Sequence, residues 1–369
     1  MTSESTSNSL KIIIAGGGTG GHIFPAIAIA NAIKELHPTT EFLFVGAKGK
    51  MEMEKIPQAG YKIIGLDIAG FNRSNLFKNI TLPFKLTKSI LQVRNIVKNF
   101  KPIAAIGVGG YSSFPVLRYC QAKRIKTFIH ESNSFAGKSN ILLGKKATKI
   151  FVASEGMEKF FPKERIIITG NPVRKVIAES NISQTVALQY FGLSTEKKTV
   201  LIVGGSLGSR SINQAIFNGL QLLIENNIQV IWQTGKFNFH SFKALHNVEK
   251  GIWVNDFIGE MEMAYAAADV VISRSGAMSV AELCVVQKPV IFVPFPFAAE
   301  DHQTVNAKQL VKYNAALMIP DSMVQEQLVE KAIELIKDEN QQQELKNSIA
   351  KFSVKNADKK IASTILENI

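Results

Sequence analysis

The sequence predicts an α/β protein built from two doubly wound, Rossmann-like domains that face each other across a cleft. Three observations predict it. Short β-branched apolar runs alternate with helical patterns through the whole chain. Most of these runs are continuously apolar, as expected of parallel strands covered by helices on both faces. The order strand, glycine loop, helix that opens the chain in "KIIIAGGGTGGHIFPAIAIANAI" then restarts in "TVLIVGGSLGSRSINQAIFNGL". The repeat is architectural, with little residue identity beyond the glycines.

In the first domain, 8–170, strands are expected at Ile12–Ala15, Phe42–Val45, Ile63–Leu66, Ile103–Val108, Lys126–His130, Lys149–Val152 and Ile166–Thr169. The boundary falls near "TGNPVRKVI". The second domain, 171–350, has candidates at Val200–Val203, Gln229–Gln233, Ile252–Val254, Val270–Ser273, Val290–Val293 and Ala316–Ile319. A longer helix begins near Met323, and "SVKNADKKIASTILENI", 353–369, reads as a last amphipathic helix that packs back on the first domain. A chain of 369 residues is long for one core and comfortable for two.

Composition narrows the class. Hydrophobic residues make up 46% and charged residues 20%, the mix of a globular protein. No run approaches the roughly 20 apolar residues needed to span a bilayer. The start, "MTSESTSNSL", lacks the basic-then-apolar build of a signal peptide. Cys120 and Cys284 are far apart and in apolar settings, which argues against a disulfide framework or zinc site and for a reducing, cytoplasmic home.

The net charge of +13 is unevenly placed. Residues 1–172 hold 24 Lys+Arg against 10 Asp+Glu, while the rest holds 19 against 20. Between Asp67 and Glu131 there are eleven Lys or Arg and nothing acidic. That blank predicts a positive face for an anionic partner. Within it, 71–88 interleaves Phe71, Phe77, Phe84 and Leu86 with Arg73, Lys78, Lys85 and Lys88, and Pro83 interrupts any single helix. Such a segment suits an anionic membrane surface. From Ile90 to Phe100 the pattern is an ordinary amphipathic helix packed on the sheet. A nucleic-acid partner is not expected, because no reading motif or aromatic stacking platform accompanies the bases.

Gly16, Gly18 and Gly21 match the G-x-G-x-x-G spacing of dinucleotide folds, with His22 set where the helix begins. That use needs a carboxylate at the end of the second strand, and "EFLFVGAKGKM" offers none there, so a dehydrogenase is disfavoured. Two further segments follow strand ends. "GVGGYSSFP" carries Gly109, Gly110 and Tyr111, and "FIHESNSFAGKSN" carries His130, Glu131 and Asn133. In a parallel sheet all three converge on one edge, making His22, Tyr111, His130, Glu131 and Asn133 neighbours.

In the second half, "GGSLGSRS" places Gly204, Gly205, Ser206 and Gly208 before a helix, a good diphosphate cradle that lacks the Walker lysine. "SRSGAMSVAELCVV" gives Arg274 and then Glu282, flanked by apolar residues and suited to accept both hydroxyls of a ribose. "EDHQTVNAKQL" presents Asp301, His302, Gln303 and Asn306, groups typical of sugar-hydroxyl recognition.

The ordered set "GGTGGH", "GGYSSFP", "HESNSFAG", "GNPVR", "GGSLGSR", "SRSGAMSVAE" and "DHQTVNA" resembles the MurG family from about residue 10 to residue 350. These are bacterial UDP-N-acetylglucosamine transferases acting on the membrane-bound peptidoglycan precursor lipid I. The resemblance implies a GT-B fold and transfer of N-acetylglucosamine to the 4-hydroxyl of the N-acetylmuramyl group, giving lipid II by inversion. It implies a role in cell wall biogenesis, cell shape and division, at the cytoplasmic face of the inner membrane as a peripheral protein, with cell-wall synthesis and division proteins as partners. His22 would be the base, with Glu131 as runner-up. The donor would be met by Thr19, Gly20, Gly21, Asn133, Arg174, Ser206, Ile258, Arg274, Met278, Glu282 and Gln303. Among these, Ile258 would offer backbone groups to uracil, Arg274 would lie beside the nucleotide, and Arg174 would reach the nucleotide-sugar from the hinge. Gly109, Tyr111, His130 and Asn306 would lie on the acceptor side. No Asp-x-Asp clamp is visible, so no metal ligand or cofactor is expected beyond the donor. The family's second glycine loop reads "GGYxSGP", and here Phe114 replaces its last glycine. The alternatives are another GT-B enzyme with a lipid acceptor or a UDP-N-acetylglucosamine 2-epimerase; "GGYSSFP" and "HESNSFAG" favour the first assignment.

Overall fold

The computed structural model of the chain describes residues 9–68 and 82–369. It divides into two compact units, one comprising residues up to Pro172 together with Asn356–Ile369, the other Val173–Lys355. Every expected strand is present. The first unit holds β1 (Lys11–Ala15), β2 (Glu41–Ala47), β3 (Lys62–Leu66), β4 (Ala104–Gly107), β5 (Lys126–Glu131), β6 (Lys149–Val152) and β7 (Ile166–Ile168). They form one parallel sheet in the order β3-β2-β1-β4-β5-β6-β7. In its register Ile13 sits opposite both Leu43 and Ala105.

Strand β1 explains the continuous apolar runs. Ile12 and Ile14 point into a core shared with the helix Gly20–Leu36, while Ile13 and Ala15 point into a second core on the other face. Each of those isoleucines, fully removed from water, contributes about 1.5–3 kcal/mol. The first core is closed by the C-terminal helix Ala357–Glu367, whose Ile361, Ala362 and Ile365 are fully buried beside Ile29 and Ile33. The second is covered by the helix Leu82–Phe100 through Val93 and Val97, four residues apart on one face.

Two details of the expected interfacial segment change. Pro83 does not interrupt the helix; it is the second residue of Leu82–Phe100, where a missing N–H costs nothing. Lys88 is not a free base, because its ammonium pairs with Asp67 at 3.0 Å, as Lys48 does at 2.8 Å. Hydrogen bonds from those two lysines pull the Asp67 carboxyl down to about 2. The part of the segment from 71 to 81 lies outside the described residues.

The second unit repeats the plan with β8 (Lys198–Val203), β9 (Ile228–Gln233), β10 (Ile252–Asn255), β11 (Val270–Ser273), β12 (Val290–Phe292) and β13 (Leu317–Met318). Its parallel order is β10-β9-β8-β11-β12-β13. Again alternate residues of the central strand, Val200 and Ile202 against Leu201, feed cores on opposite faces. In both units the chain reverses its direction of winding beside the first strand, between β1 and β4 and between β8 and β11. Ligands of open α/β sheets bind outside the carboxyl ends of strands at such points.

Candidate functional site

In the first unit the loop after β1 is built around a group that the motif does not show. Glu52, at the start of the helix Glu52–Gln58, is 1% exposed. Its carboxylate accepts from the Gly18 amide at 2.7 Å and the Ala47 amide at 3.0 Å. A Cβ on Gly17 or Gly46 would collide with this side chain, so both positions are emptied for it. The carboxylate missing from the end of β2 is thus present five residues later, and it binds the glycine loop itself.

Above that loop begins the helix Gly20–Leu36, with Thr19 as an extended N-cap whose side chain makes no capping bond. Gly20 and Gly21 supply amides of the first turn, which have no partner within a helix. His22 turns back so that Nδ1 lies 2.9 Å from the carbonyl of Gly17. A carbonyl only accepts, so Nδ1 carries the proton and Nε2 keeps the basic lone pair. The ring lies against Gly109, where a Cβ would stand 2.7 Å from both Cδ2 and Nε2. Gly109 and Gly110 have φ of 96° and 86°, and Gly17 N donates to Gly109 O at 3.3 Å, so the two glycine loops stack backbone on backbone. Ser113 fastens them, donating to Ala15 O at 2.7 Å and Gly109 O at 2.8 Å. Phe114 sits in the first turn of the helix Ser113–Ala122 and packs on the second core, so no glycine conformation is needed there. Tyr111 is exposed beside it.

His130 and Glu131 end β5, and neither is presented as the motif suggested. His130 is fully buried. Burial, aided by the nearby His22, pushes it down to about 3, against the pull of a hydrogen bond with Asn171, so it is neutral and out of reach of an acceptor. Glu131 is buried with four donors on its carboxylate. Asn133 N and Nδ2 reach Oε1 at 3.1 and 3.3 Å, and Gly137 N and Asn140 Nδ2 reach Oε2 at 3.0 and 2.8 Å. The carboxylate folds the loop that presents Asn133. Those four bonds fill the acceptor positions of the carboxylate and leave none for an incoming hydroxyl.

In the second unit the loop Gly204–Gly208 precedes the helix Arg210–Glu225, which is capped by Ser209. Gly208, with φ of 80°, is pressed against the carbonyl of Thr234, and Gly235 against Gly208, another backbone-on-backbone stack. Gln233, buried at the end of β9, joins two loops. Its Nε2 donates to Gly205 O at 3.0 Å and its Oε1 accepts from Ile258 N at 2.9 Å. The Ile258 amide, expected to face a base, is therefore engaged, and its carbonyl is the group this residue has to offer.

Arg274 also departs from expectation. Its guanidinium is buried and bonds Val293 O (3.0 Å), Pro294 O (2.9 Å), Ser209 Oγ (2.6 Å), Ser211 Oγ (3.0 Å) and Asp321 Oδ1 (2.6 Å). It lies beneath the cap of the Arg210–Glu225 helix and ties it to β12. A cavity of about 440 Å³ opens there, lined by Ser209, Arg210, Gln214, Phe295 and Phe297 among others.

Glu282 is buried on the helix Ala277–Val286, one turn beyond the buried Met278. It accepts from Arg174 Nε at 3.1 Å and from Tyr265 Oη at 3.0 Å. Arg174 is thus held on the carboxylate through Nε. A carboxylate has about four acceptor positions, so two remain for hydroxyls. Burial and the Glu282 charge push the Tyr265 phenol well above its usual value, which keeps it a donor. Gln303 opens the loop side of the helix His302–Val311, its Oε1 bonded to Phe295 N at 2.9 Å. The two residues before that helix, Glu300 and Asp301, have φ of 55° and 50°. Asn306, expected on the acceptor side, belongs to the second unit, where it is buried and donates to Ser275 O at 3.2 Å.

Glu52, Gln233 and Tyr265 carry the site and were not anticipated. Only Glu52 left a signal, an acid amid the "GKMEMEK" turn directly after a strand whose glycine, Gly46, has no turn to make. Among the described residues no group of three or more His, Cys, Asp or Glu is placed to hold a metal ion.

Residues 12–152 match the Glycosyltransferase family 28 N-terminal domain, and residues 199–363 match the Glycosyltransferase family 28 C-terminal domain. The chain is 52% identical over 363 residues to the UDP-N-acetylglucosamine--N-acetylmuramyl-(pentapeptide) pyrophosphoryl-undecaprenol N-acetylglucosamine transferase of Phocaeicola vulgatus, covering 97% of this chain and 96% of the other. It is 49% identical over 363 residues to the protein of the same name in Bacteroides thetaiotaomicron, covering 97% of each. It superposes on the crystal structure of Acinetobacter baumannii MurG with a TM-score of 0.74 at 26% identity, over 97% of this chain and 99% of that one. Two parallel-sheet units with these glycine loops and these matches leave one assignment: the chain belongs to glycosyltransferase family 28, in the MurG branch of the GT-B fold.

Proposed function

We propose that this chain transfers N-acetylglucosamine from UDP-N-acetylglucosamine to the 4-hydroxyl of the N-acetylmuramyl group of undecaprenyl-linked lipid I, giving lipid II. The observation that carries the chemistry is His22, with Nδ1 held on Gly17 O and Nε2 left basic. In a single displacement the acceptor oxygen bonds to the anomeric carbon as the bond from that carbon to the UDP phosphate breaks. The hydroxyl proton passes to His22 Nε2, and UDP leaves with the bonding pair. The configuration inverts to a β linkage.

The second unit holds the donor. Ser206 and the first-turn amides of the Arg210–Glu225 helix receive the diphosphate, where amides and helix dipole stabilise the leaving charge. Glu282 takes the ribose hydroxyls on its two remaining acceptor positions, the Ile258 carbonyl meets uracil, and Met278 packs beside the nucleotide. Gln303 and Asn133 contact the sugar hydroxyls, and Arg274 acts from beneath the diphosphate loop. In the first unit Thr19, Gly20 and Gly21 meet the donor, and Gly109 and Tyr111 shape the acceptor side. Glu131 positions Asn133, and the buried His130 supports the sheet edge.

Among the described residues no helix is long and apolar enough to cross a membrane. The basic first unit supports peripheral attachment to the anionic cytoplasmic face of the inner membrane. His22→Ala tests the assignment. Loss of a general base costs about 10²–10⁴ in kcat, with stabilisation by UDP retained; near-full kcat with lipid I analogues refutes it. A thermal-shift panel of UDP, UDP-N-acetylglucosamine and UDP-glucose tests the donor, with preference for the N-acetylated sugar expected.

A further inference from the structure

We propose that Glu52 is a positioning residue for His22, acting through the one peptide unit that joins Gly17 to Gly18. The proposal rests on the assignment of His22 as the base. The carbonyl of Gly17 accepts from His22 Nδ1 at 2.9 Å, and the N–H of Gly18 donates to Glu52 Oε2 at 2.7 Å. Those two groups belong to a single planar amide. The order is therefore carboxylate, amide N–H, amide C=O, imidazole Nδ1–H, with Nε2 at the reacting end. Each bond in such a row polarises the next. Negative charge on Glu52 draws the amide proton and loads the Gly17 oxygen. That oxygen then holds Nδ1–H more tightly and favours positive charge on the ring as Nε2 takes a proton. A carboxylate bonded directly to a histidine fixes its tautomer and stabilises the imidazolium in serine hydrolases. Here a peptide stands between the two.

The arrangement is built, not incidental. Burying a carboxylate is costly unless hydrogen bonds answer it, and the partners that Glu52 has are the backbone amides of Gly18 and Ala47. Two glycines, Gly17 and Gly46, are cleared to seat it. Both carboxylate oxygens are used, one by each amide.

Glu52→Gln keeps the size and an acceptor oxygen but removes the charge. Because bonds to charged groups are roughly twice as strong as neutral ones, kcat should fall about tenfold. In a His22→Ala background the same substitution should cost less than about twofold, since a residue acting through His22 has nothing left to act on. Equal losses in both backgrounds, or no loss in the first, overturn the proposal. A second measurement does not need turnover. Nitrogen NMR of the histidine-labelled full chain should find His22 as the Nδ1–H tautomer in the wild type, and the Nε2–H form should grow in Glu52→Gln. A wild-type ring that is mainly Nε2–H, or a tautomer unmoved by Glu52→Gln, overturns the relay. A fully active His22→Ala enzyme instead overturns the base assignment alone and leaves the tautomer result standing.

Discussion

His130 makes the first unit acid-labile, and the size of the effect follows from its burial. Its folded value lies at about 3 against an ordinary 6.5, because a fully buried ring disfavours the charged form. Below 6.5 the unfolded chain binds a proton that the folded chain refuses, so stability is whole above that pH and falls as pH drops toward 3. The slope approaches 1.36 kcal/mol per pH unit, which gives a loss of about 1.4 kcal/mol at pH 5.5 and about 2.7 kcal/mol at pH 4.5. His130→Gln removes the titration. Urea unfolding followed by far-UV circular dichroism between pH 7 and 4.5 should show a flatter pH dependence in the variant, by that amount. The protein supplies an internal control. Both tryptophans, Trp232 and Trp253, lie in the second unit, so their fluorescence reports on that unit. The acid loss should appear in the part of the circular dichroism change that fluorescence does not follow. Equal pH slopes for wild type and variant refute the argument.

Three other substitutions probe the loops. Gly109→Ala places a methyl 2.7 Å from His22 Nε2 at a φ of 96°, so it should lower kcat by about 10²-fold or more, as misplacing a catalytic group by an ångström does, while UDP still stabilises the protein. Glu282→Gln removes the charge that receives ribose hydroxyls and should raise the donor KM about 10- to 100-fold, from the 1.5–3 kcal/mol typical of bonds to charged groups; UDP titrated by calorimetry checks it. Arg274→Met removes the ion-pair partner of Asp321, which keeps the Ser211 hydroxyl at 2.6 Å, and should cost about 3 kcal/mol, read as a lower urea midpoint of the tryptophan-reported transition.

Fold and site were not equally legible in the sequence. Strands such as β1 and β8 were plain because burial on both faces demands an uninterrupted apolar run, here β-branched, short and followed by glycines. The glycine loops were plain because backbone stacked on backbone, as at Gly110 and Gly208, leaves no room for another residue. The partners of the polar residues were not. Arg274, Glu282 and Arg174 each stood in a suggestive motif, yet motifs do not say which bonds a side chain has already made. Arg274 spends its donors on Ser209, Ser211, Asp321 and two carbonyls, and Arg174 lies on Glu282 itself. Those pairings join positions up to 108 residues apart, and no local pattern records them. Pro83 misled for a different reason. A proline reads as a break only if the helix has already begun, and here it begins with Leu82.

The same strand, loop and helix occur in both units, and opposite charges are placed beneath the two loops. Under the first loop lies Glu52, whose carboxylate occupies the Gly18 amide that a phosphate would need. An anion brought there meets a buried negative charge within one peptide of its binding groups. In the proposed reaction the glycines of "GGGTGGH" seat a carboxylate and aim a histidine. Under the second loop lies Arg274, its guanidinium 2.6 Å from the Ser209 cap of the following helix, adding to the positive end of that helix dipole. Asp321 offsets part of that charge from the far side of the guanidinium. What remains, together with first-turn amides that no buried acid has claimed, suits the second loop to a diphosphate. The G-x-G-x-x-G spacing is equally present in the first loop, where a carboxylate already holds the Gly18 amide. What separates a phosphate cradle from a mount for a base is a single buried side chain on a neighbouring element.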